Sequence, residues 1–396
     1  MTSKVLENIR VIDITRYVAG PVCAAQFADL GAEVIHIENV GGGEDRSPLP
    51  VAPGFNGGAG FIQVNRNKKS LSLDLGHDSG QAILRRLLKT CDILVSNMPQ
   101  QAAVSLGIDY ETVKKIRPDI ISVEISSFGS EGPYANRTGF DAIAQVMSGA
   151  VHLSGPPGHP TKNAAAWVDM TAGNHATIGA LAALLYRNAT GEGQKVEVNL
   201  LQSAMTVTNY FLLEEALTGM GRESSDNRAQ SGGPADLAPT TDGAVYVAVL
   251  GQPMFSRFAT LIGQPELVDD ERFQSDESRA KHGDQLSGML AAWTAGRSSA
   301  QALEQLAAAR IPAGPLLKPR EVLQDEHVLA SGFLERIEVP GLNDPVPYVT
   351  PAYRLSKSPA SIVTGPPTPG QHTDEILTEL GFSPAEIAEF RQQAVV

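Results

Sequence analysis

Asp169 is the residue whose type and surroundings point most directly to chemistry. It is the one acidic residue in an apolar and small-residue stretch, residues 165–173, and it follows a loop rich in glycine and proline, residues 154–160. An alanine-rich helix is predicted over about residues 171–188, so Asp169 would open this helix at its N-terminus, where negative charge is favoured. A carboxylate there should stay ionised, as a carboxylate nucleophile must. The alternative is that Asp169 only caps the helix, and the local sequence by itself favours capping.

A second chemical feature is a basic cluster formed by Arg66, Lys68 and Lys69 in a chain whose net charge is −13. Three cations in four residues can hold phosphate groups. The glycines at 41–43, followed by Arg46, could likewise approach a pyrophosphate through backbone N–H groups. The alternatives are a solvated loop for the cluster and a flexible turn for the glycines, and the local sequence favours these alternatives.

Composition narrows the classes of function. The chain has 396 residues, 42% hydrophobic and 19% charged, as is ordinary for a globular protein of two or three domains. The net charge of −13 argues against a nucleic-acid partner, because phosphate backbones need a basic face. The 2 cysteines and 8 histidines have neither metal-ligand nor redox spacing. No signal-peptide region or membrane-length apolar run is present, so we expect a cytoplasmic protein without membrane contact.

The elements that must position these residues alternate between strand and helix over the first 200 residues. Strands are predicted at 11–14, 33–38, 71–73, 92–95, 120–125 and 195–198, and helices at 21–30, 79–89, 110–116 and 200–217. Such alternation predicts an α/β fold in which a Rossmann-like large domain carries a mostly parallel sheet. Ligands of such folds bind beyond the carboxyl ends of the strands.

The domain organisation is predicted from changes in composition along the chain. Residues 219–238 are mostly polar and rich in glycine, which is typical of a linker. Residues 239–324 begin with a hairpin-like segment and continue as helices, which predicts a smaller α+β domain. Residues 1–218 and 325–396 together form the predicted large α/β domain, which ends in a helix pair near 374–380 and 384–392.

Taken together, short motifs along nearly the whole chain resemble the class III coenzyme A transferases. This family includes formyl-CoA:oxalate and carnitine CoA-transferases, and the α-methylacyl-CoA racemases are related to it. The resemblance rests on residues 11–15 with 19–21, 30–38, 65–75, 92–97, 132–134, 139–141, 190–194, 239–243 and 370–375, which occur in the family's order.

The resemblance implies that Asp169 is a catalytic nucleophile. In the family mechanism its carboxylate attacks an acyl-CoA thioester, and CoA is then held as a thioester of the aspartyl group before it passes to an acceptor acid. The CoA thioester is a substrate, and no permanently bound cofactor or metal is needed. No Walker A sequence or dinucleotide fingerprint occurs in the chain, in agreement with this expectation. The family fold also implies an interlocked homodimer.

The residues expected at the CoA site come both from the family resemblance and from the basic residues of the sequence. By position, the resemblance assigns to it Val18, Ala19, Leu73, Asn97 and Met98. The basic residues expected to reach the phosphates are Arg46, Lys68, Lys69 and Arg137.

The chain departs from the formyl-CoA transferase pattern at several points. Val18 replaces an active-site glutamine, and Asn39 and Ser105 replace arginines that touch CoA, a loss for which Arg137 would compensate. The glycine-rich gating loop is represented only by Gly251 and Gln252 with the leucine before them. These differences speak against formate and oxalate as substrates.

We therefore expect the acceptor to be a carboxylic acid larger than formate, and specifically a dicarboxylate. Arg222 and Arg228, in the predicted linker, would pair with its distal carboxylate. The alternative is that both arginines belong to a solvated linker.

Two other functions compete with CoA transfer. A racemase of this family needs a histidine immediately before Asp141, and this chain has Phe140, which cannot take a proton. A non-catalytic CoA-binding protein would not need Asp169. The sequence therefore favours a CoA-transferase over both.

Overall fold

The computed structural model describes residues 4–46, 55 and 57–396. One sheet is formed by β1 (Arg10–Ile14), β2 (Glu33–Glu38), β3 (Lys69–Ser72), β4 (Ile93–Ser96), β5 (Ile121–Ser126) and β6 (Lys195–Asn199). Every neighbouring pair is parallel, and the order is β3-β2-β1-β4-β5-β6. The prediction of an α/β fold with a parallel sheet is confirmed. The strand order reverses direction between β1 and β4, and such a reversal leaves a crevice beyond the carboxyl ends of the two strands.

Both faces of this sheet are buried, as parallel sheets require. The helices of this part of the chain are α1 (Ala19–Asp29), α2 (Ala59–Val64), α3 (Asp78–Leu88), α4 (Gln100–Leu106), α5 (Tyr110–Ile116), α6 (Asp141–Met147), α7 (Trp167–Thr190) and α8 (Leu200–Thr218). Successive strand residues alternate between two apolar clusters. Val11 and Val95 pack with residues of α1 and α7, whereas Ile12 and Leu94 pack with residues of α3 and α5.

Helices α1 and α7 lie unusually close together because small residues face each other. A Cβ atom on Gly173 would lie 2.7 Å from Cγ1 of Val22 and 2.8 Å from the carbonyl oxygen of Ala19. Ala172 and Ala176, on the same face of α7, are fully buried. This packing fixes the beginning of α1 against the first turns of α7, where Asp169 lies.

The chain divides into two compact units. The first comprises Met1–Gly149, Asn163–Leu213 and Glu326–Val396, and the second comprises Ala150–Lys162 and Glu214–Asp325. The second unit thus includes a short segment before α7 as well as the whole predicted linker. The domain boundaries expected from the sequence stay a prediction.

The second unit is built on a small antiparallel sheet. Its strands are β7 (Ala235–Pro239), β8 (Ala244–Ala248) and β9 (Ala313–Pro315), with β8 in the centre. The hairpin expected near residues 241–249 therefore exists, although its first strand begins within the predicted linker. The helices are α9 (Gln252–Leu261), α10 (Asp276–Lys281), α11 (Gly283–Thr294), α12 (Ser299–Ala308) and α13 (Pro319–Val322). Phe255 and Phe258 are fully buried in its core.

The C-terminal part of the chain completes the first unit. It contains α14 (Glu326–Ala330), the antiparallel strands β10 (Leu334–Ile337) and β11 (Val346–Val349), and then α15 (Thr373–Glu379) and α16 (Pro384–Gln392). Ile376 and Leu377 of α15 pack in the cluster that also contains α3 and α5. In the part of the chain that the structure describes, no helix combines the length and apolar character needed to cross a membrane.

Most predicted elements begin and end within two residues of the observed ones. The main exception is the alanine-rich helix, which was expected to begin near residue 171 and begins at Trp167. The two residues before Asp169 therefore belong to the helix as well, and Asp169 lies inside its first turn.

Candidate active site

The first turn of α7 is capped by a carboxylate that comes from another helix. The Oδ2 atom of Asp141 accepts hydrogen bonds from the N–H groups of Val168 at 2.8 Å and of Asp169 at 3.1 Å. Asp141 is the first residue of α6 and is buried. The residue before α7, Ala166, has no capping side chain. Asp141 is therefore the cap of α7, and the interpretation of Asp169 as a cap is wrong.

The carboxyl group of Asp169 is half-buried and has an unusual pKa. Burial, followed by the negative charge of Asp141, raises the pKa of Asp169 to about 7. The helix N-terminus favours the ionised form of Asp169, as the sequence predicts, but burial and then the like charge of Asp141, which already accepts the first-turn N–H groups, outweigh this effect. Within the described residues, we find no cation or hydrogen-bond donor that compensates the charge of Asp169.

Gln145 holds Asp141 in this position. Its Nε2 atom donates to Oδ1 of Asp141, while its Oε1 atom accepts the N–H group of Asn163 at 3.0 Å. The side chain of Gln145 thus ties α6 to the segment that leads into α7.

At the crevice between β1 and β4, Asn97 holds the loop that follows β1. Its Oδ1 atom accepts the N–H group of Arg16 at 3.0 Å, and its Nδ2 atom donates to the carbonyl oxygen of Arg16 at 2.7 Å. Asn97 was predicted to line the CoA site, and both polar atoms of its side chain bond to this loop. Its position beyond β4 agrees with the location that such folds use for ligands.

Lys68, from the basic cluster, is fully buried below the same loop. Its ammonium group donates to Oδ2 of Asp13 at 2.8 Å, to the carbonyl oxygen of Pro21 at 3.1 Å and to Oδ1 of Asn65 at 2.9 Å. All three protons of the ammonium group are therefore used within the protein. Lys68 connects the end of β1 with the first turn of α1.

The pKa of Asp13 is shifted in the opposite direction to that of Asp169. Burial alone would raise the pKa of Asp13, but the charge of Lys68 and then the hydrogen-bonded His36 hold that pKa well below its usual range. The Nδ1 atom of His36 lies 3.2 Å from Oδ2 of Asp13. Burial lowers the pKa of Lys68, and Asp13 opposes this shift. The Asp13 carboxylate is therefore a structural anion.

The remaining cations near the basic cluster also face carboxylates. Arg46 bonds Glu38 at 2.7 Å, Arg66 bonds Asp29 at 2.6 Å, and Lys69 bonds both Glu33 and Glu375 at 2.7 Å. The phosphate-binding role expected for Arg46, Lys68 and Lys69 stays a prediction. Their pairs speak against it, because each charge already has an anionic partner.

The apolar residues expected at the CoA site divide into two kinds. Val18 is half-buried and immediately precedes α1, so it lies at the edge of the crevice. Ala19 is buried at the start of α1, Leu73 is buried in the core, and Met98 packs against the same apolar cluster as Leu73. Val18 and Met98 are both half-buried and thus more accessible to a ligand than Ala19 and Leu73.

Two arginines follow strands at the carboxyl edge without a carboxylate partner among the described residues. Arg137 is exposed and its guanidinium stacks on the ring of Tyr134 at 4.1 Å. Arg16 is half-buried, and no described side chain forms an ion pair with its guanidinium. Arg137 was predicted from the sequence, whereas Arg16 was missed because nothing in its local sequence separates it from the other arginines.

Sequence reasoning also missed a contact between two aromatic side chains. The rings of Tyr17, in the loop after β1, and Phe140, just before α6, meet edge to face with centroids 5.7 Å apart. Phe140 had been considered only because it stands where a racemase has histidine. The two residues are far apart in the sequence, so no local pattern could have paired them.

In the second unit, the predicted loop residues are held by α10. The N–H group of Gly251 donates to both carboxylate oxygens of Asp276 at 3.1 Å, and Oε1 of Gln252 accepts from the buried Arg279 at 2.6 Å. Gly251 has a φ of 76°, which glycine adopts without strain. The substrate role expected for Gly251 and Gln252 stays a prediction.

The two arginines expected to bind a distal carboxylate already have carboxylate partners in the second unit. Arg222 forms a two-pronged pair with Glu214 and also donates to Gln230. Arg228 pairs with Asp284 at 3.1 Å. The acceptor-binding role of these arginines stays a prediction, and it would require each to exchange its present partner for the substrate.

The chain is similar over nearly its whole length to proteins of known activity. The family model described as CoA-transferase family III matches residues 6–373. The chain is 31% identical to succinyl-CoA–D-citramalate CoA-transferase of Chloroflexus aurantiacus, over 99% of this chain and 98% of that protein. It is 33% identical to succinyl-CoA:glutarate CoA-transferase of Mus musculus, over 95% of this chain and 86% of that protein.

A solved structure has the same fold. The crystal structure of a CAIB/BAIF family protein from Brucella suis superposes with a TM-score of 0.86 and 28% identity, covering 96% of this chain and 100% of that one. Together with the parallel sheet, these matches define an enzyme that transfers CoA between acids. The chain belongs to CoA-transferase family III. Its substrates are CoA thioesters and carboxylic acids, and the alternative of a non-catalytic CoA-binding protein is wrong.

Proposed function

We propose that this enzyme transfers CoA from an acyl-CoA donor to a carboxylic acid through a covalent thioester on Asp169. The observation that carries the proposal is the state of this carboxyl group, which is half-buried, beside a second carboxylate, and without a compensating cation among the described residues. Such a group is basic for a carboxylate, and basic groups are better nucleophiles.

In the first half of the reaction, an oxygen of ionised Asp169 attacks the thioester carbonyl of the donor. The carbon–sulfur bond breaks, so that a mixed anhydride forms and CoA leaves as a thiolate. The thiolate then attacks the aspartyl carbonyl of the anhydride. This step releases the donor's carboxylate and leaves CoA as a thioester of Asp169, without consuming a proton.

The second half runs through the same steps in reverse. The carboxylate of the acceptor attacks the aspartyl thioester and expels the CoA thiolate, which gives a new mixed anhydride. The thiolate attacks the acceptor's acyl carbon, and the carboxylate of Asp169 is regenerated. The energy of the thioester bond is retained, because one thioester is exchanged for another.

Asp141 has a positioning role in this scheme. Its hydrogen bonds fix the first turn of α7, and its charge adds to the effect of burial in raising the pKa of Asp169 to about 7. For the phosphates of CoA we propose Arg16 and Arg137 as ligands, since both follow strands at the carboxyl edge and neither has a carboxylate partner among the described residues.

We propose a dicarboxylate as the acceptor. The proposal is supported by the relatives named for citramalate and glutarate transfer. A screen of formate, acetate, succinate and glutarate as acceptors tests it, with acyl-CoA products measured by chromatography. Succinate or glutarate should be turned over fastest, and a preference for formate or acetate would contradict the proposal.

We also propose that the enzyme is a homodimer, interlocked as the resemblance implies. Large apolar side chains on the first unit are exposed on α7 and α8, among them Ile178, Leu185, Val207 and Tyr210, each at least 54% exposed. Apolar exposure on this scale is typical of an interface. Light scattering of the purified protein should give twice the mass of one chain.

Mass spectrometry of the intact protein tests the covalent step. Incubation with succinyl-CoA or acetyl-CoA, without an acceptor, should add the mass of CoA less one water to the wild-type chain. Asp169→Asn should show no addition. Asp78→Asn is a matched control, because Asp78 also lies in the first turn of a helix but is exposed. An unmodified wild type would contradict the covalent step.

The same protein should not racemise 2-methylacyl-CoA. Phe140 has no atom that could remove the α-proton, so Asp169 would lack the second acid–base group that racemisation needs. Incubation of a chiral 2-methylacyl-CoA in deuterated water should leave its α-position free of deuterium. Rapid uptake of deuterium would contradict the transferase assignment at this site.

A further inference from the structure

We propose that Tyr17 and Phe140 form an apolar wall of the acyl pocket and select acyl groups longer than acetyl. This inference rests on the proposed function, because it assumes that the acyl group reacts at Asp169. It goes beyond that function by naming the part of the donor that the protein would recognise, namely the acyl chain next to the thioester. The wall is defined here as the side chains of Tyr17 and Phe140.

The two rings form a fixed unit although both are accessible. Their centroids are 5.7 Å apart, and their planes meet at 86°, which is the favoured edge-to-face geometry. Tyr17 is 39% exposed and Phe140 is 62% exposed. The pair is therefore not part of the core, and its apolar surface is available for another molecule.

The wall is tied directly to the nucleophile. Phe140 is followed by Asp141, whose carboxylate bonds to the N–H group of Asp169 at 3.1 Å. The contact path from the wall to Asp169 thus runs through one peptide bond and one hydrogen bond. From this connection we infer that an acyl group held at Asp169 would contact the wall.

The backbone of Tyr17 is in a conformation that a tyrosine rarely adopts. Its φ is 67°, in the left-handed region that favours glycine. The phenolic oxygen also donates to Oε1 of Glu44 at 3.1 Å, so both ends of the residue are constrained. Residues held in such conformations occur preferentially at functional sites, because surrounding interactions must maintain them.

Those surrounding interactions come from both sides of the loop. Before Tyr17, Asn97 binds the N–H and carbonyl groups of Arg16. After Tyr17, the carbonyl oxygen of Val18 accepts the N–H group of Val22 at 2.9 Å, which begins α1. The position of the Tyr17 ring is therefore set before a substrate arrives, and a preformed wall discriminates between substrates better than a mobile one.

The chemistry of the wall sets the class of acyl group. Burial of methylene groups against two aromatic faces is favourable, because it removes apolar surface from water. The faces offer no hydrogen-bond donor to a charged group placed against them. An acetyl group has a methyl carbon but no methylene group, so it would bury the least apolar surface against the wall. Propionyl, butyryl and the carbon chain of a dicarboxylic acyl group all reach the wall with their methylene groups.

The test measures how fast wild type and variants consume acetyl-CoA and butyryl-CoA in a single turnover with enzyme in excess, read by quenched flow and chromatography. No acceptor acid is needed. The variants are Phe140→Ala, Tyr17→Ala and Tyr17→Phe. Phe333→Ala is the matched control, because Phe333 is 45% exposed and meets His327 edge to face at 5.7 Å, far from Asp141 in the sequence.

We expect wild type to prefer butyryl-CoA by roughly tenfold or more, as for other apolar pockets. Phe140→Ala and Tyr17→Ala should lower this preference about tenfold, mostly through the butyryl rate. Tyr17→Phe keeps the ring and should keep the preference. Phe333→Ala should behave as wild type.

Three results would overturn the wall. The preference is unchanged in both alanine variants, or both donors slow down equally, or Phe333→Ala loses the preference as well. The covalent step is scored separately from the adduct mass in the same samples. A wild type without an aspartyl adduct would contradict the proposed mechanism, whereas an adduct without selectivity would overturn the wall and leave the mechanism intact.

Discussion

Asp13 and Asp169 are both aspartates of the first unit, and they differ in what surrounds the carboxyl group. Asp13 is fully buried, yet its carboxylate receives the ammonium group of Lys68 at 2.8 Å, the ring of His36 and the N–H group of Thr15. Asp169 is less buried, but its burial is not offset by a cation, and the charge that acts on it is that of another carboxylate, Asp141. The pKa of the first is therefore far below its usual range, and that of the second is raised to about 7.

The difference teaches that the partners of a buried carboxylate decide its role, more than its depth does. An anion with its own cation is stable and unreactive, because its lone pairs are engaged. An anion next to a like charge is easily protonated and basic, which suits a nucleophile. The basic cluster belongs to the first kind of site, and Asp169, the proposed nucleophile, belongs to the second.

The largest expected effect comes from removing the carboxylate of Asp169. Asp169→Ala should reduce CoA transfer by roughly a thousandfold or more, since it removes the group that forms the covalent bond. CoA binding, measured by calorimetry, should change little because Asp169 does not hold the nucleotide. Retention of a tenth of the wild-type rate would contradict the mechanism.

The next largest effect is on stability and concerns the buried ion pair between Lys68 and Asp13. Lys68→Met leaves the buried charge of Asp13 without its cation and should lower the free energy of unfolding by about 3–5 kcal/mol. Urea unfolding followed by circular dichroism measures it. Lys115→Met is the control, because Lys115 is exposed and should behave as wild type. Equal stability of the two variants would show that Asp13 does not depend on Lys68.

The pH dependence of the rate separates the two aspartates without a mutation. In the proposed mechanism only ionised Asp169 attacks, so the single-turnover rate should rise with pH and level off above about 7. Below that value it should fall about tenfold per pH unit, as the carboxyl group becomes protonated. Asp13 stays ionised throughout this range and contributes no step. A rate that is flat from pH 5 to 8 would contradict the raised pKa.

The smallest effect is expected for Asp141→Asn. The amide oxygen can still cap α7, but the negative charge beside Asp169 is gone, so the pKa of Asp169 should fall. The acid limb of the rate profile should move to lower pH, with little change in stability. If the midpoint stays where it is in wild type, burial alone sets the pKa of Asp169.

The sequence predicts elements and overall topology well, because local patterns determine them. β1, β2 and α5 were expected at nearly their observed positions from apolar runs and from Pro118, which stops α5. Asp169 itself could be singled out as chemically interesting, and the family resemblance then gave it a role.

The sequence does not predict contacts between residues that are far apart along the chain. The Asp141 cap lies 28 residues before Asp169, and Lys68 meets Asp13 across 55 residues. Neither contact leaves a periodic or motif-like trace. Local charge alone therefore predicts an ionised Asp169 and an available Lys68, and it misses the burial and the Asp141 charge that act on the first and the Asp13 partner of the second.

The most direct test of the account is to find which residue carries CoA during the reaction. The wild-type protein is incubated with succinyl-CoA or acetyl-CoA and then with hydroxylamine, which converts an aspartyl thioester into a stable hydroxamate. Peptide mass spectrometry then locates the modified residue. The account predicts a hydroxamate at Asp169 and none at Asp13 or Asp141. A hydroxamate at another residue, or turnover without any modified peptide, would contradict it.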